Sequence, residues 1–247
     1  GLSGKAAKNK GGKRMQAYGL TDIGQARAVN QDAIFYSIQS VGNLPNLFLV
    51  ADGMGGHKAG DYASSFTVEK FVELVPEITS KNPITILNHT LKEVNARLFR
   101  QAQSTPEMED MGTTLVVGVC VKQELYVMNI GDSRLYLIND TIRQVTRDHS
   151  YVEELVSMGK LDKKNARNHE SKNVITRAVG VSARVMADFF EVELHRKDQI
   201  LLCSDGLTNM VSDAEILHIV NSERGIEEKA IRLVELANRN GGKDNIS

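Results

Sequence analysis

The sequence predicts an α+β protein in which mostly antiparallel sheets are covered by helices on their outer faces. Two observations support this class. Apolar, β-prone runs follow one another in blocks with short turns between them, and helical patterns come in pairs between these blocks instead of alternating singly with strands. The candidate strands are 47–51, 113–121, 124–130, 134–139, 186–194 and 199–204.

The first predicted helix pair follows the strand at 47–51. The segment 59–75 carries an apolar stripe at helical spacing. The segment 83–103 carries a clearer one, because its apolar residues recur every three or four positions and therefore lie on one face. The residues of that second stripe are Leu87, Leu91, Val94 and Leu98.

The second predicted helix pair follows the last candidate strand. Ser212 and Glu215 have the spacing of a capping box, in which each side chain satisfies a backbone group of the other residue, so a helix is expected at 213–221. A final helix is expected at 226–240. It should stop at the Gly-Gly pair that follows, because glycine readily adopts the left-handed conformation that closes helices.

Composition and cysteine usage favour a globular protein of a reducing compartment. Of the 247 residues, 41% are hydrophobic and 25% charged. No apolar run approaches the ~20 residues of a membrane helix, and no secretory signal pattern opens the chain. Cys120 and Cys203 each lie in an apolar strand candidate, so we expect buried thiols without a disulfide, a cytoplasmic location and no membrane association.

Residues 1–14 form a basic, glycine-rich arm with five positive charges and no acidic residue, and without it the net charge of −1 becomes −6. Such an arm could contact nucleic acid or anionic lipid. No aromatic residue or binding motif accompanies the charge, however. We therefore expect a disordered leader or linker at 1–14, a natural start at Met15, one domain over 15–247 and no nucleic-acid partner.

The glycine-rich segment ADGMGGHKAGD, residues 51–61, raises the question of what its loop holds. A P-loop requires Gly-Lys followed by Ser or Thr, whereas Lys58 is preceded by a histidine and followed by an alanine. A dinucleotide fingerprint requires a glycine where Lys58 stands. With both nucleotide motifs excluded, the remaining feature of the segment is Asp52 at a strand end, beside glycines that let other groups approach the backbone.

Five aspartates lie at the ends of predicted elements. Each alone is typical of a turn, but five in such places are expected to converge. Converging carboxylates repel one another unless a cation neutralises them, and oxygen ligands without a Cys or His cluster suit Mg²⁺ or Mn²⁺. This pattern indicates a two-metal phosphate-ester hydrolase in which Arg27 grips the phosphate. The five are Asp32, Asp52, Asp132, Asp205 and Asp244.

Seven short motifs occur in order along the chain: RAVNQD, ADGMGGHKAG, MGTT, GDSR, NVITRAVG, SDGLTNM and GGKDN. Together they resemble the motifs of the metal-dependent serine/threonine protein phosphatases of type 2C, and most of all those of bacterial members. The match runs from about Gly19 to Ser247. The resemblance implies a four-layer α-β-β-α sandwich of two mostly antiparallel sheets with helix pairs outside.

The resemblance also implies a role for each acidic residue in holding two core Mn²⁺ or Mg²⁺ ions and a third, weaker ion. Asp52 would bridge the two core ions, and the backbone carbonyl of Gly53 would complete the first. Asp205 and Asp244 would bind the second. Asp132 would bind the third ion, toward which Asp205 also reaches.

By the same resemblance, Arg27 would hold the substrate phosphate and Asp32 would hydrogen-bond metal-bound water. Phosphoserine or phosphothreonine of a protein would be hydrolysed by direct attack of a metal-bridging hydroxide, with no phosphoenzyme. Bacterial members commonly oppose serine/threonine kinases of the same cell. A cognate kinase is therefore an expected partner in signalling, and the chain is expected to be a monomer.

Three features depart from the family pattern. Animal members carry a histidine, proposed as the proton donor, where this chain has Met54, so the general acid is unassigned and a metal-bound water is one candidate. His57 matches the bacterial histidine, as a group near the site or as a packing residue. A flap is expected at about 149–172, in which His169 faces substrate or solvent. Family members continue into another apolar strand, which is expected beyond Ser247.

Two other classes of function are weaker. A catalytically weak scaffold that binds phosphoproteins would be expected to lack a core aspartate, and Asp52, Asp205 and Asp244 are all present. A nucleic-acid-binding protein would be expected to carry basic, aromatic motifs within its domain, but this domain is acidic and has no tryptophan. The sequence therefore predicts a protein phosphatase.

Overall fold

The strands form two antiparallel sheets. A computed structural model describes residues 15–56, 59–104, 106–108, 110–166 and 169–247. Over these residues the strands are β1 Asp32–Ser37, β2 Leu47–Met54, β3 Gly112–Thr113, β4 Leu115–Val121, β5 Glu124–Ile130, β6 Arg134–Ile138, β7 Ile142–Gln144, β8 Asp188–Glu193 and β9 Gln199–Cys203. The larger sheet has the order β1-β2-β4-β5-β8, with β3 paired to the end of β2, and the smaller sheet has the order β7-β6-β9.

The long helices come in two pairs, as the sequence predicts. The helices of the described residues are α1 Ala59–Leu74, α2 Pro83–Ser104, α3 Tyr151–Ser157, α4 Lys163–Ala166, α5 Asp205–Thr208, α6 Asp213–Val220 and α7 Ile226–Arg239, with short 3₁₀ turns at Val75–Glu77 and Pro106–Met108. Helices α1 and α2 pack together against the larger sheet, and α6 and α7 pack against the smaller one with α5. None of these helices is long and apolar enough to cross a bilayer.

Three apolar cores separate four layers of secondary structure. On β2, Leu49 packs toward α1 and α2, whereas Val50 faces the smaller sheet. On β6, Leu135 faces the larger sheet, whereas Tyr136 packs toward the last helices. Successive strand residues point to opposite faces, so both faces of these strands are buried. The predicted α+β class and its four-layer arrangement are therefore confirmed.

The largest difference from the predicted strands lies at the glycine-rich segment. The sequence predicts a strand over 47–51 followed by a loop, but β2 continues to Met54 because Gly53 and Met54 pair with Thr113 and Gly112. The strand expected at 113–121 is divided at Thr114 into β3 and β4. Strands β1 and β7 were not expected.

Several predictions that depend on local sequence are confirmed. The Ser212–Glu215 capping box is present at the start of α6. Two glycines with positive φ, Gly241 at +127° and Gly242 at +48°, follow α7. Cys120 and Cys203 are free and buried. The basic arm at 1–14 lies outside the described residues, so its predicted disorder and the domain limits stay predictions.

The segment expected to form a flap contains the short helices α3 and α4. Ser150 caps α3 by accepting a hydrogen bond from the backbone N–H of Glu153. The segment is closed at its base, where Ser150 pairs with Ile175. His149, at the start of the expected flap, is buried.

Candidate metal centre

The five predicted aspartates converge around Asp52. Asp32 at the start of β1 lies directly opposite Asp52 near the end of β2. Asp205 begins α5, with one residue between it and the end of β9, and Asp132 lies in the turn between β5 and β6. Asp52 experiences the negative charge of the other four carboxylates, including Asp244 after α7. Residues that are separated by more than two hundred positions thus form one acidic centre.

The backbone of Asp52 is held by the MGTT motif. Thr114 accepts a hydrogen bond on Oγ1 from the Asp52 N–H at 2.9 Å, and its own N–H donates to the Asp52 carbonyl at 2.9 Å. The Thr113 hydroxyl donates to the same carbonyl at 2.9 Å. Two buried threonines bind both the backbone N–H and the backbone carbonyl of Asp52. The main chain that carries the Asp52 carboxylate is therefore held in place.

Close backbone contacts explain two glycines of the centre. A Cβ on Gly53 would lie 2.0 Å from the carbonyl oxygen of Gly60, and a Cβ on Gly206 would lie 1.9 Å from that of Asn245. Both distances are far inside van der Waals contact, so no other residue fits without backbone movement. Glycine is therefore required here by packing of the backbone, which brings the start of α1 and the 244–246 loop close to the acidic centre.

Asp32 is anchored by two hydroxyl groups. Ser204 and Ser247 each donate to Asp32 Oδ2 at 2.7 Å. The other oxygen of Asp32, Oδ1, is buried and has no hydrogen-bond partner within the described part of the chain, and the same holds for Asp205 Oδ1. Buried carboxylate oxygens without a partner are unusual, and a bound cation or its water would satisfy them.

Burial and mutual repulsion raise the pKa of four of these carboxyl groups. Burial, followed by the charge of Asp32, raises the pKa of Asp52 well above its usual range. Burial and the charge of Asp205 do the same for Asp132, and burial with the charge of Asp244 raises the pKa of Asp205. Burial raises the pKa of Asp32 to about 7, against the opposite effect of its two hydroxyl donors. Full ionisation of these carboxyl groups is therefore unfavourable unless a counter-ion is bound.

Asp132 lies in a tightly held turn. Gly131 adopts φ +97°, which favours glycine. Thr114 and Ser133 share a hydrogen bond of 2.7 Å between their hydroxyls. On the other side of Asp132, Arg134 donates through Nε and Nη2 to the carboxylate of Asp148, at distances of 2.7–3.1 Å. The residues around Asp132 are fixed by partners from other elements.

Arg27 reaches the centre through Asp244. Its Nη2 donates to Asp244 Oδ2 at 2.8 Å, and this hydrogen bond raises the pKa of Arg27. The loop that carries Arg27 is tied to the end of α7, because the N–H groups of Gln25 and Ala26 donate to the Gly242 carbonyl. The guanidinium is half exposed, so it faces both the carboxylates and solvent.

Asn245 is a residue whose contribution the sequence did not indicate. Its buried side chain donates to the carbonyls of Ile23 and Val29 at 3.0 Å and accepts from the Gln31 N–H at 2.9 Å. It thereby fixes both ends of the Arg27 loop. The GGKDN motif contains Asn245, but nothing in the spacing of residues reveals a partner more than two hundred positions away.

The donor set fits a hard divalent cation, since Asp52 and the four acidic side chains whose charges act on it are all carboxylates. The carboxylates are not in a finished coordination geometry. Across the described ranges, no three Asp, Glu, His or Cys side chains have the spacing of a metal site. Instead Asp244 accepts a hydrogen bond from Arg27, and Asp205 Oδ2 accepts one from Asn209. Ion binding would therefore require these carboxylates to turn from their present partners toward the ion.

The roles of the two predicted histidines stay predictions. His57 lies outside the described residues. His169 is partly buried, and its Nδ1 accepts a hydrogen bond from the Ser171 N–H at 3.1 Å. Met54, at the position of the animal proton donor, ends β2 opposite Gly112. A proton donor to the leaving group is thus not identified among the side chains predicted from sequence.

Comparison with known proteins supports one family. The model of the protein phosphatase 2C family matches residues 24–241. The serine/threonine phosphatase stp of Listeria welshimeri is 42% identical over 240 residues, which cover 94% of each chain. The crystal structure of serine/threonine phosphatase Stp1 from Staphylococcus aureus superimposes with a TM-score of 0.85 at 36% identity, over 92% of this chain and 90% of that one.

A second solved structure bears on the acidic centre. The catalytic domain of the serine/threonine protein phosphatase PstP, in complex with two manganese ions, gives a TM-score of 0.80 at 33% identity, over 92% of this chain and 93% of its own. The family match covers most of the chain and the relatives cover it almost end to end. The chain therefore belongs to the protein phosphatase 2C family.

Proposed function

We propose that this chain is a metal-dependent protein phosphatase that hydrolyses phosphoserine and phosphothreonine in proteins. The observation that carries the proposal is the convergence of five aspartates on Asp52, in a centre that resists holding its charge alone. The substrate class comes from relatives named serine/threonine phosphatases, which match this chain over more than nine-tenths of its length.

Each carboxylate has a proposed role. Asp52 would hold both core ions, with the carbonyl of Gly53 as a further ligand of the first and Asp205 and Asp244 as ligands of the second. Asp132, with Asp205, would hold a third and weaker ion. Mn²⁺ or Mg²⁺ bound here would supply an activated water nucleophile and would neutralise the charge of the phosphate. The orphaned oxygen of Asp205 and the PstP structure with two manganese ions support this assignment.

Arg27 and Asp32 complete the proposed site. Arg27 presents a planar fork that matches two phosphate oxygens, and it lies at the solvent-facing edge of the carboxylates, where a phosphorylated side chain would enter. Asp32 is held from below by Ser204 and Ser247, which leaves its second oxygen to accept a hydrogen bond from water in the centre. These two residues orient phosphate and water.

No protein nucleophile is needed for this reaction. The two thiols of the chain, Cys120 and Cys203, are buried, and burial raises their pKa to about 11 and about 12, so neither forms a thiolate at neutral pH. The Ser204 hydroxyl is committed to Asp32. We therefore propose direct hydrolysis by water, without a phosphoenzyme.

Finer features are proposed from the family alone. The substrates are proteins phosphorylated by a serine/threonine kinase of the same cell, the protein acts in signalling in the cytoplasm, and it acts as a monomer. Relatives from Listeria and Streptococcus pneumoniae support a bacterial type. The general acid is left unassigned because Met54 cannot donate a proton.

The proposal is tested by assaying the metal-free chain with Mn²⁺, Mg²⁺ or no ion, on phosphoserine, phosphothreonine and phosphotyrosine peptides in parallel. We expect phosphate release from the first two peptides only when an ion is added. Activity that persists in a strong chelator would contradict metal dependence. Equal or greater turnover of the phosphotyrosine peptide would contradict the proposed substrate class.

A further inference from the structure

His149 is a buried histidine outside the predicted site that contacts the Asp132 turn directly. Its Nδ1 accepts a hydrogen bond from the Gly131 N–H at 3.1 Å, and its own N–H donates to the Gly131 carbonyl at 2.9 Å. Gly131 precedes Asp132. The imidazole ring thus holds the Gly131 N–H and the backbone N–H of His149 holds the Gly131 carbonyl, so residue 149 fixes the direction in which Asp132 leaves the strand.

The other ring nitrogen of His149 is held just as firmly. His149 Nε2 lies 3.1 Å from Asp188 Oδ2, and Arg177 donates to Asp188 Oδ1 at 3.0 Å. Because Nδ1 accepts from a backbone N–H, the ring proton must be on Nε2, from where it donates to Asp188. Burial acts to raise the pKa of Asp188, but the hydrogen bond and charge of His149 and the charge of Arg177 lower it overall, so Asp188 stays an acceptor.

The neighbours of His149 hold the rest of the same turn. Asp148 binds Arg134 through both carboxylate oxygens. Asn129 donates to the Gly131 carbonyl at 3.3 Å and to the Arg147 carbonyl at 3.0 Å. The segment 147–149 therefore contacts the residues on both sides of Asp132, binding Gly131 before it and Arg134 after it.

We propose that His149 is a positioning residue that aligns Asp132 for the third ion through the Gly131 N–H, in its Nε2-protonated form. The inference rests on the proposed function, because that function gives Asp132 its ion. It does not involve contact between His149 and the ion or the substrate. Residues that orient a ligand through hydrogen bonds typically change metal affinity or activity about 10–100-fold when they are replaced.

Two substitutions separate the two ring nitrogens. In His149→Asn, the amide oxygen stands near the position of Nδ1 and can still accept from Gly131. In His149→Gln, the amide nitrogen stands near Nε2 and can still donate to Asp188, but the acceptor for Gly131 is lost. A residue that served only to fill the core would be replaced equally well, or equally badly, by both.

The experiment titrates the metal-free full chain with Mn²⁺ by calorimetry for wild type, His149→Asn, His149→Gln and Asp132→Ala. We expect His149→Gln to weaken the weakest class of ion about 10–100-fold while the tightest ions bind as in wild type, and His149→Asn to stay within about 3-fold of wild type. Wild-type binding by His149→Gln, or equal losses in both variants, would overturn the inference.

Two further results distinguish failure of the inference from failure of the proposed function. If Asp132→Ala binds every ion as wild type does, the proposed third-ion site at Asp132 is wrong and the inference is overturned with it. If wild type binds no Mn²⁺ at all, the proposed function itself is overturned. For the case in which a variant fails to fold, long-range ¹H–¹⁵N NMR of the wild type reports the His149 ring. The Nε2–H tautomer is expected, and the Nδ1–H tautomer would overturn the inference.

Discussion

Arg27 and Asp244 form an ion pair across 217 positions of sequence, with Nη2 and Oδ2 2.8 Å apart. The proposed phosphate clamp and a proposed metal ligand thus share one hydrogen bond. Because the guanidinium is half exposed, the pair adds little to stability. Its consequence is functional: an ion that takes the Asp244 carboxylate would free Arg27 for the phosphate.

Arg27→Ala is expected to raise KM for p-nitrophenyl phosphate about 10-fold or more and to change kcat less, because a hydrogen bond to a charged group contributes about 1.5–3 kcal/mol. The measurement is steady-state kinetics in saturating Mn²⁺. Arg97→Ala, which removes a partly exposed arginine of α2 that is paired with Glu93, is the matched control and should leave both constants unchanged. An altered metal requirement at unchanged KM would remove Arg27 from the role of phosphate clamp.

Asp52→Asn is expected to lower Mn²⁺-dependent hydrolysis at least about 100-fold, since loss of one preorganised electrostatic group typically costs 10²–10³ in kcat. The side-chain volume is kept, so the fold should survive. Calorimetric titration should show loss of the tight ions. Asp61→Asn, in the exposed first turn of α1, is the control. Turnover close to wild type in Asp52→Asn would end the two-ion proposal.

Gly53→Ala is expected to destabilise the protein by about 1–3 kcal/mol or more, because its Cβ would lie 2.0 Å from the Gly60 carbonyl oxygen. Gly56→Ala in the same segment has no atom within 4 Å of the added Cβ and should be close to neutral. Urea unfolding of both variants checks the difference. Equal midpoints would show that the close approach of α1 to β2 is relaxed at little cost.

The stability of the metal-free protein is expected to fall between about pH 4 and pH 7. The pKa of Asp32 rises from 3.8 to about 7 on folding, so in this window the folded state holds a proton that the unfolded chain has released. This stabilisation is complete below the unfolded pKa and is lost as the pH rises through the folded pKa.

Urea midpoints measured at pH 5, 6, 7 and 8 would reveal this fall, and Asp32→Asn should flatten it. Mn²⁺ should restore stability at pH 7 and above, because it binds the ionised carboxylates of the folded state only. A metal-free protein that gains stability from pH 5 to pH 7 would contradict the raised pKa of the centre.

Asn245→Ala is expected to cost about 1–3 kcal/mol of stability, since it leaves the Ile23 and Val29 carbonyls and the Gln31 N–H without their partner. It should also raise KM, because the loop of Arg27 loses its anchor. Asn240→Ala removes one exposed hydrogen bond to Met210 and is the control. An unchanged KM in Asn245→Ala would mean that the loop holds Arg27 without this side chain.

Much of the fold could be predicted because the signals are local. The stripe of Leu87, Leu91, Val94 and Leu98 requires only the period of a helix, and all four side chains are buried in α2. The Ser212–Glu215 capping box likewise depends on residues three positions apart. Strands β1 and β7 were missed because β1 mixes polar and apolar residues and β7 is three residues long. Their pairing comes from neighbours elsewhere in the chain.

The glycine-rich segment shows where local reasoning ends. The sequence excluded nucleotide motifs and indicated Asp52 as the important residue of this segment. It did not reveal that β2 runs on through Gly53 to Met54, since that extension is created by hydrogen bonds with residues 112 and 113, far along the chain. The glycine at 53 is explained by the carbonyl of Gly60, which only packing brings close.

By itself, the sequence determined the class of fold, the family and the set of five aspartates, because these follow from periodicity, residue type and ordered motifs. The tertiary structure alone decided which groups hold them: the threonines behind Asp52, the hydroxyls on Asp32, Asn245 under the Arg27 loop and His149 against the Asp132 turn. Hydrogen bonds of this kind join residues brought together by burial of three cores, and their energy depends on distance in space rather than on separation along the chain.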